Sequence, residues 1–442
     1  MVGTLTEALR HIKAELAPLL AAPTMLALCR EVGSHWRARL LDPVTTIHLC
    51  SGQILPHNTA CSHLPHLVAQ RFTASAYCQA RTRLPLVVWQ QVLRRTVAVG
   101  EPTPHAEGRW CGHRTFLVAG TGRSRPDTPA RQEAFGQPGG QRPGCGFPVA
   151  HLLALFQAGT GCLREVHAAP WHTNDMAQVA ALHAPLQPGD VLVGDRAFCA
   201  FGPLALLSPQ GCHAVCRMPQ KPIVDFTPSR PHTTPKPRAA QQGLPRARWL
   251  RQVGVTAQLV EWVKPVRLPI HPPAWRTPEL WAALPALLWV RELRYRVTQA
   301  GLRTQTVTLG TTLLAVDSSP AATLAELYHR RWQVETKLRH LKQTRGLDGL
   351  HWQRLVGVLK ELTVFALVSN LVRVVMLAAA QRQGVALERI SFVDAVRWLS
   401  TARPGAPLPP WVVHPHRPDR VEPRAVKRRP KPYALLRQPR RT

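Results

Sequence analysis

The sequence predicts a mixed α/β protein, in which a sheet with helices packed on it is preceded by a helical region and interrupted by a β-rich insertion. Three observations lead to this. Apolar residues recur at helical spacing through roughly the first hundred positions, as in Leu9–Leu20 and Thr24–Leu41. From Arg114 the pattern changes to strand, strand pair, helix and strand, the order of a sheet covered by helices. Two β-like stretches, Ala257–Val263 and Leu288–Thr312, then separate the strand ending at Asp195 from the charged helix that carries Glu335.

Taken in order, residues 1–105 form a helical N-terminal domain. Its segment His66–Leu86 has the compact character of a helix–turn–helix, and DNA contact and plain helical packing are both open to it. Residues 106–218 hold the first part of the sheet. Thr115–Val118 is a short apolar run, and Phe147–Phe156 with Cys162–Ala169 reads as a strand pair around Gly159-Thr160-Gly161. Asp175–Leu186 is expected to be helical, and Asp190–Val193 is a buried strand running out at Gly194-Asp195-Arg196. Residues 219–315 are the β insertion, opened by the proline-rich, basic stretch Pro219–Pro245. Residues 316–400 contain the charged helix and a long apolar helix, and 401–442 form a basic, proline-rich tail expected to be extended.

Charge narrows the partners. Lys and Arg number 56 against 25 acidic residues, a net charge of +31, so a polyanion is the expected ligand. No run of about 18 uninterrupted apolar residues offers a membrane span. Val364–Ala380, broken by Ser369, Asn370 and Arg373, reads as a buried helix. The N-terminal MVGTLTEALRHIKAEL carries both charge signs without a signal-peptide pattern, and a cytoplasmic, nucleoid-associated protein is expected. The ten cysteines are scattered, with neither disulfide-framework nor zinc spacing.

Within Tyr328–Lys342 (YHRRWQVETKLRHLK), residues Tyr328, Arg331, Glu335 and Lys342 are offset by 3, 7 and 14 positions. On one continuous α-helix these fall along a single stripe. The stripe suits a metal ion held beside a phosphodiester; a solvated face of charge pairs is the plain alternative. Asp195, at the end of a buried strand, is a second carboxylate of the kind that metal-assisted phosphodiester chemistry requires. Trp332 is expected in the core, with stacking on a displaced base as the alternative.

With these residues in hand, the sequence resembles bacterial insertion-sequence transposases of the DDE class, of the insertion-sequence family four type with a Tyr-Arg-Glu-Lys motif. The likeness runs over Ser75–Pro85, Phe116–Pro138, Pro143–Phe156, GDRAFC (Gly194–Cys199), RYRV (Arg294–Val297) and the Tyr328–Lys342 segment. It implies a ribonuclease H-like core interrupted by a β insertion. It further implies Asp195 and Glu335 as catalytic ligands of Mg²⁺ or Mn²⁺, and Tyr328, Arg331 and Lys342 as contacts to DNA phosphates. Inverted-repeat ends and target DNA are the implied partners, with a homodimer on DNA and no membrane. One position departs from the pattern: where relatives carry the first Asp, this chain reads LVAGTG and places Ala119. Asp127, eight residues on, belongs to its own element, RPDTP. A methyl group cannot ligate a cation, so the expectation divides. One reading is a transposase that cleaves and joins DNA, another a catalytically dead DNA-binding derivative acting as a decayed copy or a repressor of related elements. A host nuclease with the same core is the third.

Overall fold

The computed structural model describes residues 21–219 apart from 38, 56–57, 68–70, 101–108 and 171–174. It also describes 224–297 apart from 230–245, 267–272 and 274, then 305–341, 350, 352, 354–401, 407–413, 416, 436 and 438. The N-terminal sixteen residues, Lys342 and most of the proline-rich stretch and the tail lie outside the described residues.

Among the described residues the first helices are α1 (Ala22–Glu31), α2 (Pro43–Ile54), the short α3 (Leu64–Leu67), α4 (Ala74–Arg83) and α5 (Leu86–Gly100). Helix α2 begins cleanly because the Asp42 carboxylate accepts the Thr45 N–H at 2.7 Å, with Pro43 preset for the first turn. Strands β1 (Arg109–Trp110) and β2 (His113–Ser124) precede α6 (Pro129–Phe135). Then come β3 (Val149–Gln157), β4 (Leu163–Pro170), α7 (Val179–His183), β5 (Val191–Gly194), α8 (Phe201–Leu207) and β6 (His213–Arg217). Strands β7 (Arg246–Gly254) and β8 (Ala257–Val263), helix α9 (Pro278–Ala283) and strands β9 (Leu287–Val297) and β10 (Gln305–Thr311) follow. Helices α10 (Ala321–Arg330), α11 (Gln333–Arg339), α12 (Leu355–Gln383) and α13 (Phe392–Thr401) complete the described elements.

One sheet runs through the molecule in the order β4-β3-β2-β5-β6-β10-β9-β8-β7. Strands β2, β3 and β4 form an antiparallel meander, and β5 and β6 run parallel to β2. This is the mixed sheet that the sequence pattern predicts, in the ribonuclease H-like arrangement that the family resemblance implies. Strands β7 to β10 join the same sheet, because β10 pairs antiparallel with β6.

Each sheet face feeds its own core, since side chains alternate along a strand. Leu117, Val193 and Val215 point to the face covered by α10–α13 and the N-terminal helices. Phe116, Val118, Leu192, Ala214 and Cys216 point to the other, under α7, α8 and α9.

Helix α12 is the centre of the first core. Among the described residues it is the one helix long and apolar enough to cross a membrane, yet nearly all of it lies inside the fold. Its polar groups are matched there, as the sequence expectation of a buried helix requires. The Asn370 side chain accepts from the Leu163 N–H at 2.7 Å and donates to the Leu163 carbonyl at 2.8 Å. Glu361 accepts from Asn58 and from the Trp352 N–H, and Lys360 donates to the Thr82 carbonyl at 2.7 Å. The helix stops at Gly384, whose left-handed backbone (φ 60°) suits glycine. Helices α2 and α5 pack directly on α12, so the N-terminal helices share the core of the sheet.

Candidate active site

The register of three parallel strands builds the site. Leu117 on β2 lies beside Val193 on β5, which lies beside Val215 on β6. Carried two residues further, the register sets Ala119 beside Asp195. Gly194 pairs with Cys216, so Asp195 falls next to Arg217. Ala119, Asp195 and Arg217 thus form a row across the carboxyl ends of the strands, on the face that carries α10 and α11. The position implied for the first carboxylate therefore sits next to Asp195, and a methyl group occupies it.

Asp195 is half-buried, and its Oδ1 accepts the Ala197 N–H at 2.8 Å, which fixes the turn leaving β5. The preceding glycine is required by close packing. A Cβ on Gly194 would lie 2.7 Å from the Phe198 Cβ and 3.2 Å from the Cys216 Sγ. Burial pushes the Cys216 thiol up to about 12, and the Asp195 carboxylate adds to the rise. Asp127 is held elsewhere: its Oδ1 accepts from Gln132 Nε2 at 3.0 Å.

A cationic cluster adjoins the row. Tyr328, at the end of α10, is buried next to β6, and Arg331 lies 5.7 Å from its ring. Burial raises the Tyr328 phenol, while Arg331, hydrogen-bonded to it, and Arg217 draw it back. Burial lowers Arg217, and the positive charges of Arg196 and Arg331 lower it further. Burial also pushes the Tyr295 hydroxyl up to about 12, with Tyr328 contributing. Arg217 thus feels two other guanidinium groups, Arg196 and Arg331, as well as the Tyr328 and Tyr295 phenols, and none of the three arginines forms a salt bridge among the described residues. Like charges gathered in this way are relieved by an anion.

The segment carrying Tyr328 and Glu335 departs from its expectation. It is two helices rather than one, broken at Arg331–Trp332. Across the break the N–H groups of Arg331, Trp332, Val334 and Glu335 each bond the carbonyl three residues back, at 3.0–3.2 Å. A 3₁₀ turn advances each residue by roughly 20° more than an α-helix, so Glu335 rotates off the stripe that begins at Tyr328. Glu335 is exposed in the first turn of α11, and its carboxylate has no partner among the described residues. Helix α11 itself packs on β2, the strand of Ala119. Trp332 is 44% exposed, contrary to the core placement expected for it, and the Arg331 guanidinium lies 5.2 Å from its ring.

The buried face of α11 carries Lys337. Its Nζ donates to the Ala158 carbonyl at 3.4 Å, and burial, with Arg373 nearby, pushes its pKa down to about 7. Burial likewise takes Arg373 down to about 10. Both side chains lie against Gly161 (φ +70°), where a Cβ would meet Lys337 Cε at 3.0 Å. Lys337 thus belongs to the packing of α11 and not to the open site.

The structure therefore brings together Asp195, Tyr328 and Arg331 with two residues that the sequence reading passed over, Arg196 and Arg217. Arg196 stood in plain view within GDRAFC. Arg217 ends β6, a strand too short (HAVCR) to announce itself by alternation. Among the described residues, no group of three or more His, Cys, Asp or Glu side chains converges to hold a cation. With Ala119 at the first position and Glu335 turned to solvent, the residues present do not fit the three-carboxylate arrangement.

A meander followed by parallel strands, with Asp195 and Arg217 at their carboxyl ends, defines a mixed α/β protein of the ribonuclease H-like class. Residues 110–371, more than half of the chain, match the transposase DDE domain family, and the chain belongs to it. Among solved structures it is similar to a piggyBac transposase, determined by cryo-electron microscopy as a synaptic complex with hairpin DNA. Identity there is 11%, over 84% of this chain and 75% of that one, with a TM-score of 0.40. A comparison with curated proteins found no match.

Proposed function

We propose that this chain is an insertion-sequence transposase of the Tyr-Arg-Glu-Lys type that grips transposon-end DNA and cleaves it poorly or not at all. The observation that carries this reading is the row Ala119–Asp195–Arg217 beside Tyr328 and Arg331. Arginine suits bidentate contact with a phosphate, and Arg196, Arg217 and Arg331 would hold the backbone at the strand ends. Tyr328 would orient Arg331 and contribute its hydroxyl. Lys342 belongs to the same proposal from the sequence alone. Divalent ions such as Mg²⁺ supply, in this family, the activation of water and the stabilisation of the leaving oxygen. Asp195 and Glu335 are the ligands proposed here, and Ala119 leaves the set one carboxylate short.

A competent relative frees a 3′-hydroxyl by hydrolysis and joins it to target DNA; two copies of the chain would pair the two ends. In this copy the cations for binding are retained while the ligand set is incomplete, which favours a decayed copy or a repressor of related elements over an active enzyme. A gel-shift and a cleavage assay on the repeats flanking the coding region test this together. Retarded DNA that stays intact with Mg²⁺ supports the reading. Nicked ends at a normal rate refute it, and no retardation removes the DNA-binding half as well.

A further inference from the structure

On strands β7 to β9, the sheet face that carries the Ala119–Asp195–Arg217 row buries Leu259, Glu261 and Arg291 but leaves Leu287, Trp289 and the side chains of β7 open to solvent. Leu293 on β9 shares that row through Leu309 and Arg217, so Trp289, four residues earlier on the same face, continues it. Three strands over and four residues along place Trp289 roughly 20 Å from Asp195. Trp289 is 53% exposed and Leu287 44%. The Trp289 Nε1 donates to Glu261 at 3.2 Å, and Glu261 is paired on its other side with Arg248.

The edge strand β7 adds three exposed arginines to this face. Arg246 lies opposite Val263, Arg248 opposite Glu261, and Arg251, after a bulge, opposite Leu259. Arg246 and Arg251 lie opposite residues four positions apart on β8, so they stand roughly 13 Å apart, about two phosphate spacings along a nucleic-acid strand. Among the described residues of this surface the carboxylate is Glu261, which is buried and neutralised by Arg248. The opposite face of these strands is covered by α9 and the second core.

We propose that the open face of β7–β9 is a platform for single-stranded DNA, with a base stacked on Trp289 and phosphates tracked by Arg246 and Arg251. The inference rests on the DNA-binding reading above and extends it to a surface separate from the strand-end row. Exposed aromatic rings beside a line of cations are the recurring means of holding unpaired strands, because every base offers a π-face. Charge complementarity selects this occupant over another protein, since the patch presents arginine without free carboxylate.

The test uses the full chain and fluorescence anisotropy of a labelled oligothymidylate and a labelled duplex across a range of salt concentrations. Trp289→Ala is expected to weaken single-strand binding roughly tenfold and to change duplex binding little, while Trp289→Phe retains most of the affinity. Arg246→Ala with Arg251→Ala is expected to lower the single-strand salt slope by about 1.4, the value for two lost phosphate contacts. Thermal melting shows whether each variant is folded; Trp289→Phe provides the comparison if Trp289→Ala is not. Unchanged single-strand affinity in Trp289→Ala overturns the platform. So does a Trp289→Ala chain whose sedimentation shows a lost dimer with unchanged DNA affinity, which would make the face a protein interface. A wild-type chain that binds neither probe instead refutes the DNA reading on which the platform rests.

Discussion

Two neighbouring groups of side chains at the carboxyl edge of the sheet are in opposite condition. The carboxylate positions are thinned: Ala119 stands where a ligand is implied, Asp195 turns inward to its own loop, and Glu335 faces solvent beyond a tightened helical turn. The cations are gathered: Arg196 and Arg331 both act on Arg217, and Arg217 and Arg331 both act on Tyr328. Both groups ride on the same strands and helices, so the contrast is not one of folding. Holding a polyanion and cutting it depend on different residues, and a sequence can lose the second while its charge and fold stay intact.

The sharpest way to break this contrast is to refill the empty position. Once Ala119→Asp is in place, Asp195→Ala or Glu335→Ala is expected to abolish the restored cleavage, a loss on the order of 10²-fold or more. In the wild-type background the same two changes should alter cleavage of end DNA by nothing measurable. Equal effects in both backgrounds would show that the carboxylates never act as a set.

A second prediction separates the two faces of α11. Lys337 is read as structural, with its pKa depressed to about 7 in the fold against an unfolded value near 10.4. Between those values the unfolded chain binds the extra proton, so stability rises with pH across about 7 to 10 and is lowest, from this group, below 7. Lys337→Met should flatten that rise and stabilise the chain near neutral pH by about 1–4 kcal/mol. Melting temperatures at a series of pH values check it, and an unchanged profile would move Lys337 out of the core account.

Gly194→Ala probes the seat of Asp195. The added methyl meets Phe198, which is fully buried, and a cost of about 1–3 kcal/mol is expected in denaturant unfolding. The smallest effects belong to the cations. Arg217→Ala and Arg331→Ala should each lower the salt slope of duplex binding by about one phosphate contact, while Glu335→Ala leaves affinity nearly unchanged. A flat response to both arginine changes would take the cluster off the binding surface.

Much of this was legible in the sequence. The strand pair β3–β4 and the strand β8 follow from apolar runs bounded by turn residues, and α12 from an apolar stretch whose few polar residues are hydrogen-bonded inside the fold. The place of Asp195 followed from a buried strand meeting a loop. The break at Arg331–Trp332 did not, because both residues are tolerated in a helix and the i→i−3 bonding there is set by tertiary context. Strands β6 and β7 were missed for different reasons. The first is five residues long, and the second is an arginine-rich edge with half its side chains in water. The cluster around Arg217 was invisible for that reason: it exists only once β6 is placed beside β5. The exposure of Trp332 likewise depends on a turn that residue type does not encode.

The measurement that bears most directly on the central claim is the rate at which wild-type chain and Ala119→Asp nick the same end DNA with Mg²⁺, at protein concentrations where both bind it fully. The account predicts equal occupancy and a rate higher by on the order of 10²-fold or more for Ala119→Asp. Equal rates at equal occupancy would contradict it, and would mean that the sheet edge cuts DNA without a carboxylate at position 119.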